Sequence, residues 1–172
     1  QGDRARAALA GAYPIRSASF VSILVDAAAV RRHGLPVADY FLWNDDFEYT
    51  ARLLRDGVGL YVPASRVYHL TKVFGSSDAD PGARFVNEVR NKVWLFTRSD
   101  ALGPVDRSLY AASTLRRWAR MLLRSGDRAA LASHGRRGLT EARRAPRSTV
   151  EVLAGTPVAA DVLAVETGAG RG

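Results

Sequence analysis

The segment Ser19–Gly57 constrains the fold of this chain more than any other. It opens on SFVSILVD, a run rich in β-branched residues that suits a buried strand over Ser19–Asp26. Ala27–Arg32 continues as a short helix that stops at Gly34, a residue suited to a helix C-cap. Leu35–Asn44 reads as a loop carrying Pro36 and the aromatic residues Tyr40, Phe41 and Trp43. Asp45–Asp56 reads as a second helix, with Phe47, Ala51 and Leu54 on one face and Gly57 at its end. Short strands are expected over Val58–Val62 and Ser65–His69 around Pro63, followed by a polar loop, Thr71–Pro81. An amphipathic helix is expected over Ala83–Phe96. This order of elements predicts half of a layered α/β domain.

The chain then divides into three: mixed α/β over residues 1–97, a helical and basic segment over 98–145, and a tail over 146–172 expected to be mostly disordered or loosely docked. A hydrophobic content of 47% is enough for a core. The absence of cysteine excludes a disulfide framework, a thiolate metal site and a cysteine nucleophile. No run approaches the ~18 apolar residues that span a bilayer. The opening QGDRARAALAG has neither an initiator Met nor a signal-peptide pattern, which points to further sequence upstream. The net charge of +8 is local: Arg98–Arg147 holds 12 Arg against 4 acids, and the remainder carries 13 of each sign.

The chemistry concentrates in DYFLWNDDFEYTARLLRDG, Asp39–Gly57, which places Asp45, Asp46 and Glu48 at a helix N-terminus behind an aromatic loop. One reading is a cap, with Asp45 as N-cap and Glu48 completing an acidic capping box. The other is a general base: the helix dipole favours an ionised carboxylate, which can take a proton from a sugar hydroxyl attacking an anomeric carbon. The two are compatible if Asp45 caps while Asp46 faces a cleft. His69, in RVYHL, is either a packed or surface histidine or a ligand to a divalent metal. Asp78-Ala-Asp80 lies in SSDADPG, where a turn is the expected role, so further ligands would come from upstream.

From Phe20 to Phe96 the chain resembles the acceptor half of bacterial family-2 inverting glycosyltransferases, the galactofuranosyl- and rhamnosyltransferase-like enzymes of cell-envelope glycans. The resemblance rests on Gly34-Leu35-Pro36, Trp43-Asn44-Asp45-Asp46-Phe47-Glu48-Tyr49, Arg52-Leu53, Gly57, Val62-Pro63, Val67-Tyr68-His69 and Val89-Arg90-Asn91-Lys92, in that order. It implies the C-terminal part of a GT-A, Rossmann-like domain followed by basic amphipathic helices. It implies Asp46 as catalytic base, Asp45 as its positioning neighbour, and Trp43, Glu48, Arg90 and Asn91 around the acceptor. It implies His69 as ligand to Mn²⁺ or Mg²⁺, with a nucleotide-sugar donor and a glycan or lipid-linked acceptor. The donor half with its D-x-D is missing, so the segment alone is expected to be inactive, in a cytoplasmic enzyme peripheral to the inner face of the plasma membrane.

Two rivals stand beside this reading, a non-catalytic scaffold and a basic module for membrane or nucleic acid. Ser113–Arg124 sets Leu115, Trp118 and Leu122 on one face and Arg116, Arg120 and Arg124 on another, an amphipathic basic helix. A second basic helix is expected over Arg128–Arg144. Such helices either pack on the domain with a solvated Arg face or attach to an anionic membrane surface. No nucleic-acid recognition motif is legible, and nucleic acid is not expected as a partner.

Overall fold

A computed structural model describes residues 11–70 and 81–168. In chain order the elements are β1 (Tyr13–Ile15), α1 (Ala27–His33), α2 (Asp45–Asp56), β2 (Gly59–Tyr61), α3 (Phe85–Arg98), α4 (Pro104–Arg124), α5 (Arg128–Glu141), α6 (Thr149–Val152) and α7 (Ala159–Thr167). Short 3₁₀ turns, Ala38–Tyr40 and Gly82–Arg84, precede α2 and α3.

These elements overturn the α/β expectation. The described residues are mostly helical, and their sheet is a single antiparallel pair, β1 with β2, in the register Tyr13–Tyr61, Pro14–Leu60 and Ile15–Gly59. There is no Rossmann-like layer among them. Ser19–Asp26 is not a strand, because no neighbouring strand among the described residues runs alongside to complete its hydrogen bonds. It is held to α2 at its start: the Ala18 N–H donates to Thr50 Oγ1 at 2.9 Å, and Phe20 meets Tyr49 edge-on. Leu24 beyond is 99% exposed. Ser65–His69 likewise forms no strand: the chain turns at Pro63, with the Ser65 N–H bonded to Val62 O, and Tyr68 is 98% exposed. Most of the expected loop Thr71–Pro81, Asp78 and Asp80 included, lies outside the described residues.

The core is organised by α3. Leu95 packs with Ala51, Ala101 and Leu102; Trp94 with Tyr40 and Ala142; Phe85 and Val89 with Leu131 and the inner side of α4. α3 and α5 cross closely because Gly138 has no side chain: a Cβ there would lie 2.7 Å from Val86 O and 2.8 Å from Val89 Cβ. α3 is buried on so many sides that Glu88, Arg90, Asn91 and Lys92 are interior with its apolar residues. No helix among the described residues is long and apolar enough to cross a membrane.

The tail, expected to be mostly disordered or loosely docked, carries α6 and α7 and clasps the loop before α2. Asp39, buried, accepts from the Arg144 guanidinium, the Arg147 N–H at 2.8 Å and Arg147 Nη2 at 3.1 Å. Thr149 Oγ1 donates to Pro36 O at 2.6 Å, and Glu166 Oε1 accepts from the Leu35 N–H at 2.9 Å.

Candidate functional site

Where a helix starts is decided by the residue that leaves the helical backbone. Here it is Asn44, left-handed at φ 64°, with α2 beginning at Asp45. Asp45 is therefore inside the first turn rather than the cap, and the expected capping box does not form. Asn44 makes no cap hydrogen bond with its side chain; its Nδ2 donates to Glu88 Oε2 at 2.9 Å. Glu48, the expected far half of the box, turns inward, accepting from Arg52 Nε at 3.0 Å and Ser99 Oγ at 2.8 Å. Arg52 carries this contact onward to the carbonyls of His33 and Leu35, tying α1 to α2.

The loop leading into this turn is strained. Phe41, Trp43 and Asn44 all have positive φ, a region that side chains with a Cβ rarely adopt. Phe41, at φ 61° and ψ −61°, is the centre of a γ-turn closed by the Leu42 N–H on Tyr40 O at 2.7 Å. Its ring is 80% exposed, directly before the acidic turn. Asn91, fully buried on α3, holds the loop in this shape: the two N–H groups of its Nδ2 are shared among Tyr40 O at 2.9 Å, Leu42 O at 2.9 Å and Trp43 O at 2.7 Å. Beside it the Arg90 guanidinium donates to Tyr40 O at 3.1 Å and to Glu141, and lies 4.9 Å over the Trp94 ring.

Asp45 and Asp46 thus stand together on the first turn of α2, half-buried, with Trp43 just before them. Asp46 Oδ1 accepts from the Phe47 N–H at 2.7 Å. Burial pushes the Asp45 carboxyl up, backbone N–H groups of the turn oppose this, and the Asp46 charge adds to it. Lys92 approaches from α3, its ammonium 5.0 Å over the Phe47 ring. Burial pushes that ammonium down, while the charges of Glu88 and Asp46 hold it up.

The chain finds no match among protein-family models, curated proteins or solved structures.

Of the residues singled out in the sequence, the structure brings Trp43, Asp45 and Asp46 into one partly open cluster. Glu48, Arg90 and Asn91, expected around an acceptor, are instead interior and bonded within the fold. His69 is exposed, and no group of three or more His, Cys, Asp and Glu among the described residues could hold a metal ion. His69 is thus the one expected ligand to Mn²⁺ or Mg²⁺ present, and it stands without further metal-ligating residues grouped about it among the described residues. Phe41 is legible in the sequence within the aromatic loop, but its exposure follows from a backbone turn the sequence does not show. One residue of the cluster, Lys92, is not singled out for a role by the sequence. It did give a signal: it shares the buried stripe of α3 with Val89, Leu95 and Phe96.

Proposed function

We propose that this chain supplies the acceptor side of an inverting glycosyl transfer, with Asp46 as general base. The observation that carries the reading is the strained, Asn91-held loop that delivers two carboxylates and an exposed aromatic ring to one edge of the fold. Strain of this kind persists where surrounding contacts over-determine it, and it concentrates at functional sites. The order of the glycosyltransferase-like motifs around the same turn supports the same reading. Function resides in such sites, and the mostly helical architecture does not decide it.

In the proposed step an acceptor hydroxyl lies against Asp46, with the sugar face on the Phe41 or Trp43 ring. Asp46 takes the hydroxyl proton as the oxygen bonds to the anomeric carbon of a nucleotide-sugar. The bond from that carbon to the nucleoside diphosphate breaks on the opposite side, inverting the configuration. Asp45 stands beside Asp46 on the same turn as its positioning neighbour; burial and the Asp46 charge raise its carboxyl, against the backbone N–H groups that lower it. Lys92 offsets the negative charge of the cluster from within. Nucleotide-sugar chemistry of this kind places the protein in the cytoplasm, peripheral to the inner face of the plasma membrane.

The test is a transfer assay on the complete gene product with Mn²⁺, panels of UDP- and dTDP-sugars and a lipid-linked acceptor extract. Asp46→Asn is expected to lower transfer by ~10²-fold or more with the fold intact by circular dichroism. Transfer by Asp46→Asn at the wild-type rate overturns the assignment and leaves the acidic turn a structural helix start.

A further inference from the structure

A helix that merely packs on a domain hides its apolar stripe and exposes its charges. The sequence suggests that pattern for α4, with Leu115, Trp118 and Leu122 together on the inner face, but the structure separates them. Trp118, Met121 and Leu122 pack against Phe85, Val89 and Leu131. Leu109, Leu115 and Leu123 face outward, 64%, 62% and 67% exposed. At 3.6 residues per turn these three fall within an arc of about 120°. Arg116, Arg120 and Arg124 rise a turn apart along its margin, all exposed. None of the three arginines makes an ion pair or hydrogen bond among the described residues. Of the 21 residues in α4 only Thr114 is buried, so this outer face has no cover among the described residues.

We infer that the outer face of α4 docks on an anionic phospholipid surface, its leucines at the acyl boundary and its arginines among the phosphates. The two residue types on this face require two different surroundings within one side-chain length. A bilayer's headgroup layer supplies both, phosphates at the level of the guanidinium groups and hydrocarbon just beneath. Arginine stems bury along the same boundary while their charged ends stay among the phosphates. A second copy of this chain is disfavoured, because both partners would bring net positive charge, +8 each, and unpaired arginines to the contact. Nucleic acid would answer the arginines and leave the leucines in water. Contact is lateral, since α4 is not apolar enough to cross the bilayer. This inference is independent of the glycosyl-transfer reading.

The experiment is vesicle flotation of the full chain with phosphatidylcholine alone and with phosphatidylcholine mixed with phosphatidylglycerol, at low and raised salt. Binding is expected only to the phosphatidylglycerol vesicles, weakening as salt screens the arginines. The triple variant Arg116→Gln, Arg120→Gln, Arg124→Gln is expected to partition about a hundredfold less. The pair Leu109→Ser, Leu123→Ser, with every charge kept, is expected to lose about tenfold. All five positions are exposed, so circular dichroism should show an unchanged fold for both variants. Absence of wild-type binding to the anionic vesicles overturns the inference, as does wild-type partition by the arginine variant. A dimer in sedimentation that the leucine pair abolishes, or oligonucleotide binding without vesicle binding, assigns the face to another occupant and overturns it equally.

Discussion

Replacing Asn91 with Ala removes the side chain that answers the backbone of the strained loop. Three carbonyls lose a donor, but not equally. Tyr40 O keeps the Leu42 N–H at 2.7 Å and Arg90 Nη2 at 3.1 Å, so it stays satisfied. Leu42 O and Trp43 O lose their Asn91 bonds, and the buried Arg90 Nε–H loses Asn91 Oδ1, its acceptor at 3.0 Å. An orphaned buried acceptor costs about 1–3 kcal/mol, and the half-buried position of Leu42 and Trp43 puts each near the lower end of that range. The vacated volume beside fully buried Trp94 and Leu95 adds about 1 kcal/mol. The lost Arg90 bond to a charged donor adds about 1.5 kcal/mol, so the expected loss is about 4–5 kcal/mol. With a urea slope of about 2 kcal/mol/M, the unfolding midpoint should fall by roughly 2–2.5 M. Asn91→Leu separates the two contributions, because it fills the volume and orphans the same two carbonyls. It should retain most of the loss. If Asn91→Leu unfolds within about 0.5 kcal/mol of wild type, the amide does not hold the loop and the account of the strain is wrong.

Phe41→Ala and Phe41→Gly both delete the ring, so their difference isolates the backbone; Gly should be the more stable by about 1 kcal/mol in urea unfolding, and equal stabilities would remove the γ-turn strain from the argument. Asp39→Asn should weaken the clasp on the tail by about 2 kcal/mol and open Arg143, Arg144 and Arg147 to trypsin at neutral pH; an unchanged digestion pattern would refute the clasp. Burial alone would raise the Asp39 carboxyl, but the hydrogen bonds from Arg144 and Arg147 outweigh it and hold it well below the usual carboxylate range. Its contribution is thus fully present above the unfolded value of about 3.9 and is lost as pH falls through the folded value, so wild type and Asp39→Asn should converge in strong acid. Lys92→Met keeps the length of the side chain and removes an ammonium that burial disfavours, so the unfolding midpoint at pH 7 should stay or rise; a clear fall would mean that the fields of Glu88 and Asp46 dominate.

What could be read in the sequence was what is local. α2 runs over Asp45–Asp56 and ends before Gly57 as expected, because an acidic first turn, a 3.6-residue apolar spacing and a terminal glycine all lie within the segment itself. α1 and its Gly34 C-cap are legible for the same reason. The strand expected over Val58–Val62 holds β2, but those over Ser19–Asp26 and Ser65–His69 failed, because β-branched composition records a demand for burial and a partner backbone decides the strand. SFVSILVD has the first and lacks the second among the described residues. The supports of the site were invisible for a different reason. Asn91 reaches carbonyls 48 to 51 residues earlier, and Arg144 reaches Asp39 across 105. No periodicity reports a pairing at that range, and the polar residues involved look in sequence like a solvated face.

The polar interior also gives the loop a mechanical link to the basic helix. Glu88 is nearly buried, and its two oxygens serve opposite sides of α3. Oε2 accepts from Asn44 at the mouth of the acidic turn; Oε1 accepts from Arg117 and, at 3.3 Å, from Trp118 Nε1 on α4. A carboxylate shared in this way leaves neither side free to move alone, because releasing one contact leaves buried charge less well answered. The outer face of α4 carries Leu115 and Arg116, adjacent in sequence to the Arg117 and Trp118 that hold Glu88 from the inner face. The same Glu88 also holds Asn44, one position before Asp45. Glu88 thus links the start of α2 to the inner face of α4 through hydrogen bonds on both of its oxygens.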